Sequence, residues 1–345
     1  MSKVEFKNSP DQVSYVTLGP RTIFESVDKA FDNEFDGHAK LALIDIFGEF
    51  KVDGKNYPYF RHTDISTGMH RFGNIIDLGD NPFDPQKGVL HAGELATKET
   101  PLNNYRKISD NPLCYGFDSE NPKVEFRVYE DYFTMKEGDF LDIKAELWPF
   151  TVYDHQTHHE NASMVLQPCT WLGSLDGKPV VGVGSLDYFC LRNGGKFDGV
   201  NLGYISVCCV GIRDDGRKEC AFFSGSMKNR GQNIAGYLCE GEPPIFTDHF
   251  EMEADWYHLP YVDDGTCCFK EATLYFCGKE LHFKGKWGTK GFTEKPRIDR
   301  HGQSQIYGTW YVGDKEYSHT HDWCMSENME VYDYVLKEMG FNVVD

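Results

Sequence analysis

Apolar and polar residues alternate one for one along much of this chain. Val124-Glu125-Phe126-Arg127-Val128-Tyr129 and Phe140-Leu141-Asp142-Ile143-Lys144-Ala145 are representative runs. A period of two places every second side chain on one face of a strand, the mark of half-buried β-structure. Strand-like runs are separated by six tight turns: Asp53-Gly54-Lys55, Glu137-Gly138-Asp139, Asp176-Gly177-Lys178, Asp215-Gly216-Arg217, Cys277-Gly278-Lys279 and Gly313-Asp314-Lys315. Glycine and Asp accept the positive φ of tight hairpins, so each turn predicts an antiparallel pair. Spread over nearly the whole length, these hairpins predict an all-β, antiparallel protein enclosing a surface large enough to wrap a small molecule.

The first clear strand is expected over residues 40–51, returning through 57–65. Residues 1–36 read as an irregular lead-in with a short helix near 24–35. Residues 68–122, dense in Gly, Pro, Asn and Asp, read as a long loop of the kind that forms lids or mouths. Strands resume from residue 123 and come in quick succession beyond Gly203. Near the end, Met329, Tyr332, Val335, Leu336 and Met339 fall at helical spacing. Ser326 stands as N-cap and Gly340 follows the last turn, predicting one C-terminal helix over 326–339. A soft boundary near residue 175, inside a hairpin, divides the chain into β halves 1–175 and 176–345. Strands about ten residues apart with almost no helix between them exclude doubly wound and (β/α)8 folds. Sandwiches, up-and-down barrels and lipocalin-like barrels remain.

Composition narrows the function. A chain of 345 residues suffices for one large β domain or two ordinary ones. A formal charge of -19 without a basic stripe excludes nucleic acid as partner and disfavours anionic membranes. No apolar leader or bilayer-length stretch is seen, so no membrane role is expected. The cysteines number eleven, an odd count, with adjacent pairs Cys208-Cys209 and Cys267-Cys268 and no C-x-x-C. That pattern fits reduced thiols in a cytoplasmic protein better than a disulfide framework. Self-association into a homo-oligomer is compatible with all of this.

Several constellations can carry chemistry. In Tyr317-Ser318-His319-Thr320-His321-Asp322-Trp323, regular alternation puts Tyr317, His319, His321 and Trp323 on one strand face. His319 and His321 are candidate proton carriers, with Trp310, Tyr317 and Trp323 as walls. Asp187, an acid in the otherwise apolar Gly184-Ser185-Leu186-Asp187-Tyr188-Phe189, would have its pKa raised if buried, as a general acid requires. Arg61-His62-Thr63-Asp64 places His62 beside an orienting carboxylate. His70 in the long loop and Arg300 in Arg297-Ile298-Asp299-Arg300-His301 are candidate substrate contacts. Tyr153-Asp154-His155-Gln156-Thr157-His158-His159-Glu160 offers His155, His159 and Glu160 as ligands for a divalent metal. Its plain alternative is a solvated connection, in which case no cofactor is needed. No G-x-S-x-G elbow, P-loop or G-x-G-x-x-G after a strand occurs.

The succession of hairpins, the two β halves, Trp287-Gly288 and Gly308-Thr309-Trp310 resemble the double-lipocalin proteins, which include carotenoid hydratases and fungal Diels–Alderase-like cyclases. The lipocalin Gly-x-Trp lies near a barrel's first strand, whereas Gly308-Thr309-Trp310 lies near this chain's end. The resemblance implies a deep apolar cavity and chemistry by one or two acids without an organic cofactor. The expectation is an enzyme acting on a small hydrophobic or aromatic molecule by general acid/base catalysis: a hydratase, dehydratase, isomerase or ring-opening lyase. A metal-dependent hydrolase cleaving a C–C or C–O bond, and a non-catalytic carrier of an apolar ligand, are the alternatives.

Overall fold

A computed structural model gives the structure of the protein and describes residues 3–8, 14–19, 31–33, 37–64, 69–72, 75–76, 89–91, 105–120, 123–156, 162–192, 203–229, 233–258, 265–287 and 303–344. Over these residues the chain is all-β, with two large curled sheets, antiparallel but for the short strand Asn342–Val344 beside His249–His258, a small pair Ile75–Ile76 and Val89–His91, and one α-helix. All six glycine-centred turns join directly paired neighbours. At one of them Asp176 has φ 50° and Gly177 φ 73°, the two successive positive values of a twist-matched hairpin turn. No helix among the described residues is long and apolar enough to cross a membrane.

Two compact units emerge, each with its own apolar core. One comprises residues 1–14, 80–88 and 197–345, the other 15–79 and 89–196. The hairpin at Asp176-Gly177, where the sequence placed a soft boundary, lies within the second unit. Its strands Ala162–Leu175 and Lys178–Arg192 pair from Ala162↔Leu191 to Leu175↔Lys178.

In the unit holding residues 197–345, a meander runs from Tyr204–Arg213 through Lys218–Ser226, Ile234–Cys239 and Ile245–Thr247. A second meander, not paired to the end of the first, runs from His249–His258 through Cys267–Phe276, Lys279–Trp287 and Gln303–Val312 to His319–Met329. That last strand returns to pair with Tyr204–Arg213, curling the sheet. Alternation builds the inner face: Phe250, Met252, Ala254 and Trp256 are buried, while their neighbours are half or fully exposed. The lead-in is not irregular throughout. Val4–Lys7 adds an edge strand beside His249–His258, burying Val4 and Phe6, and Phe6 stacks on Phe250 with ring centroids 5.1 Å apart. The expected helix is shorter than its spacing suggests, Asp333–Met339, ended by Gly340 at φ 97°. Ser326 is no N-cap; it lies inside His319–Met329, opposite Val207 and Ile306. Pairing on both edges through Met329 satisfies the backbone there, so strand overrides helical spacing.

In the other unit the order is Met69–Phe72, Lys55–Asp64, Gly37–Val52, Lys178–Arg192, Ala162–Leu175, Leu141–Leu147, Tyr132–Glu137, Lys123–Val128, Leu113–Glu120 and Arg106–Asp110. Part of the expected long loop 68–122 is therefore paired strand. Ala162–Leu175 serves two partners, Leu141–Leu147 at one end and Thr151–Gln156 at the other. The fork is stitched by buried Gln167, whose amide donates to the carbonyls of Trp148 (3.1 Å) and Phe150 (3.2 Å) and accepts from Thr151. Ser14–Gly19 and Phe31–Asn33 also join this unit; residues 24–30 lie outside the described residues.

Candidate active site

Lys218–Ser226 begins just after the Asp215-Gly216 turn, and its period puts Glu219, Ala221 and Phe223 on the inner face. Glu219 is fully buried. A buried carboxylate is costly unless its oxygens are paired, and here they are. Oε1 accepts from the Tyr317 hydroxyl and from His319 Nε2 at 2.7 Å. Oε2 accepts from the Tyr237 hydroxyl at 2.8 Å, and Arg213 Nη1 stands 3.8 Å away. The Arg213 guanidinium also lies 4.1 Å over the Tyr317 ring. Tyr317 is held in turn by the Val312 backbone N–H, 3.3 Å from its hydroxyl.

A β-bulge decides which histidine joins this cluster. His319 pairs with Arg213 and His321 with Ile212, so Thr320 is an extra residue on its strand. His319 is thereby turned to the inner face beside Gly211. His321 points to the opposite face, half-buried, and Trp323, opposite Val210, is buried on that same outer face. The expectation that Tyr317, His319, His321 and Trp323 share one face is therefore corrected. Tyr317 and His319 converge with Trp310, whose ring lies 4.8 Å from the imidazole, while His321 and Trp323 do not. Glycine at 211 leaves the imidazole its room. A Cβ there would stand 2.7 Å from His319 Cδ2 and 3.1 Å from Trp310 Cζ2.

Burial first, and the Glu219 charge second, push the Tyr317 and Tyr237 hydroxyls well above the ordinary phenol range. Both remain protonated donors at any working pH. In its ionised form a carboxylate can only accept, and Glu219 in that form would hold the imidazole as the Nε2–H tautomer. In that tautomer Nδ1 carries the free lone pair, within a side chain that is only 3% exposed. Carboxylate, oriented imidazole and a neighbouring hydroxyl are the parts of a general acid–base centre.

The second unit holds a contrasting cluster. Glu137 is fully buried and grasped by Arg61 through Nε at 2.5 Å and Nη2 at 2.6 Å, with the Tyr59 hydroxyl at 3.0 Å. A bidentate guanidinium saturates this carboxylate and makes the cluster a structural pin. Asp187 is buried as the raised-pKa reading required, and burial above all pushes its carboxyl well up. The Ser185 hydroxyl donates to it. Register places Asp187 opposite Asp45, Asp45 opposite His62, and His62 opposite Arg71, one row across four strands. His70 is opposite Thr63 on the edge strand Met69–Phe72. His155 is opposite Ser163, in a strand that ends at Gln156. His159, Glu160 and Arg300 lie outside the described residues. Among the described residues, no group of three His, Cys, Asp or Glu side chains is placed to hold a metal.

Glu219, Tyr237, Arg213 and Gly211 escaped the sequence reading. The signal for Glu219 was present: an acid in phase with Ala221 and Phe223, on the apolar side of its strand.

No family model matches the chain, and no curated protein matches it. Similar solved structures include a candidate AttH protein from Nitrosomonas europaea, 12% identical, covering 83% of this chain and 91% of that one at a TM-score of 0.45. Kievitone hydratase from Nectria haematococca is 10% identical, covering 85% and 90%, also at 0.45. CghA with Sch210972 is 11% identical, covering 92% and 99% at 0.40.

Proposed function

We propose that the chain is an enzyme acting on a small hydrophobic or aromatic molecule by general acid–base catalysis, in hydration, dehydration, isomerisation or ring opening. The single observation that carries this reading is the buried Glu219 carboxylate bonded to His319 Nε2 at 2.7 Å and to the Tyr317 hydroxyl. Glu219 orients the imidazole and His319 Nδ1 takes or returns the substrate proton, while Tyr317, its one proton given to Glu219, helps to hold that carboxylate in place. Trp310 forms the wall. Its indole N–H is buried and meets no acceptor among the described residues, so a carbonyl or hydroxyl oxygen on an otherwise apolar substrate would satisfy it.

The test is a thermal-shift screen of the purified protein against aromatic and isoprenoid alcohols, ketones and alkenes. Each stabilising compound is then incubated with the protein and followed by liquid chromatography and mass spectrometry. Gain or loss of water, or an isomer at new retention, is expected from wild type and from His321→Ala. Folded His319→Ala and Glu219→Gln should lose about 100-fold or more in rate, the range for removing a positioned general base. Turnover unaffected in both variants would overturn the reading. Stable binding without turnover would make the protein a carrier.

A further inference from the structure

Two cysteines that the proposed chemistry does not use lie on the strands that carry it. Cys209 and Cys324 face each other directly across Tyr204–Arg213 and His319–Met329. Both side chains are fully buried, and their Sγ atoms are 2.6 Å apart. Opposed residues of an antiparallel pair have Cα atoms about 4.5–5.5 Å apart. That falls within the roughly 4.4–6.8 Å that a disulfide spans. The backbone therefore already has the spacing that a bond needs.

We propose that Cys209 and Cys324 are a redox-convertible pair, a dithiol in this structure that closes to an intramolecular disulfide by exchange with a low-molecular-weight disulfide such as glutathione disulfide. One cysteine gives up its proton and its thiolate attacks a sulfur of glutathione disulfide, releasing one glutathione thiolate. The second cysteine, deprotonated in turn, displaces the remaining glutathione from the mixed disulfide. Two protein thiols are oxidised, one glutathione disulfide is reduced to two glutathione molecules, and both protons leave with the glutathione thiolates. Burial pushes the Cys209 thiol well up and shields it from solvent, so exchange proceeds through local opening and is slow. Once formed, the bond ties the strand carrying Gly211 to the strand carrying His319 and fastens the floor of the Glu219 cluster. It closes a long loop, the two residues being 115 apart in sequence, which favours stabilisation.

Full-length protein is incubated with glutathione disulfide, quenched in acid, denatured and alkylated with N-ethylmaleimide. Intact mass and peptide masses are then read. Protein kept in dithiothreitol should take eleven labels, one per cysteine. Oxidised protein should take two fewer, with the Cys209 and Cys324 peptides joined and Tm raised by roughly 3–10 °C. Cys209→Ser should abolish both the cross-link and the Tm rise. Should that variant not fold, the wild-type cross-linked peptide decides the matter. Full labelling after oxidation, a cross-link between other cysteines, or glutathione adducts without the 209–324 link would each overturn the proposal.

Discussion

Replacing Gly211 by alanine adds one methyl group beneath His319. The new Cβ would stand 2.7 Å from His319 Cδ2, 2.8 Å from Nε2 and 3.1 Å from Trp310 Cζ2. Carbon atoms in comfortable contact sit about 3.5–4.0 Å apart, so the imidazole must retreat by roughly 0.8 Å or more. It is walled by Trp310 and Tyr317, with ring centroids at 4.8 and 5.2 Å. A retreat of that size carries Nε2 from 2.7 Å to the edge of hydrogen-bonding range of Glu219. Gly211 is not among the positive-φ glycines, so the backbone accepts alanine and side-chain crowding carries the effect. Overpacking costs about 1–3 kcal/mol. Loss of a hydrogen bond to a charged group adds about 1.5–3 kcal/mol. A destabilisation of about 2.5–6 kcal/mol is therefore expected, read by urea unfolding followed by far-UV circular dichroism. The decisive measurement is the cycle with His319→Ala. Without the imidazole the methyl has room, and Gly211→Ala should cost less than about 1 kcal/mol, a coupling of about 2 kcal/mol or more. Equal costs in the two backgrounds would refute the placement of His319 and with it the geometry of the site.

Three other outcomes follow from the same structure. Glu137→Ala removes the bidentate carboxylate from the buried Arg61 guanidinium and should cost about 3–5 kcal/mol, as breaking a buried ion pair does; a loss under about 1 kcal/mol in urea unfolding would contradict the pin. Asp187→Asn should leave stability unchanged at low pH and gain on wild type as pH rises. The wild-type carboxyl, pushed up chiefly by burial, keeps in the folded state a proton that the unfolded chain releases near about pH 3.9. Wild-type stability therefore falls as pH rises from that value through the raised folded one, and a difference independent of pH would exclude this account. His321→Ala, on the face away from Glu219, should shift Tm by no more than about 2 °C, against a several-fold larger loss for His319→Ala; equal losses would place both histidines in one cluster.

Much of the architecture was legible because its determinants are local. Asp53-Gly54, Asp176-Gly177 and Cys277-Gly278 carry their turn geometry in two adjacent residues, and each hairpin appears where it was read. Helical spacing at Met329, Tyr332, Val335, Leu336 and Met339 was real but over-extended. Its first part belongs to a strand whose partners, Tyr204–Arg213 and Gln303–Val312, are distant or separated by a turn. The candidate site follows the same division. His319, Tyr317 and Trp310 were readable as a cluster of chemistry-bearing residues near one hairpin. Which histidine turns inward was not, because the bulge at Thr320 is defined by register against Arg213, about a hundred residues earlier.

The two buried glutamates show what sequence can and cannot decide about such a site. Glu137 ends a strand whose inner residues are Phe133 and Met135, and Glu219 opens one continued by Ala221 and Phe223. In each case an acid stands in phase with the apolar face, next to a glycine turn, and alternation alone forecasts its burial. Burial obliges a carboxylate to find donors, but it does not choose them. Arg61 offers Glu137 a two-pronged, permanently charged partner that leaves no proton to move. His319 meets Glu219 through one ring nitrogen alone. Stability requires only that both carboxylates be satisfied, and either partner achieves that. Choosing the imidazole, seating it on a glycine and walling it with Trp310 and Tyr317 goes beyond that requirement. That difference between the two clusters is why the proposed chemistry is assigned to Glu219 rather than to Glu137.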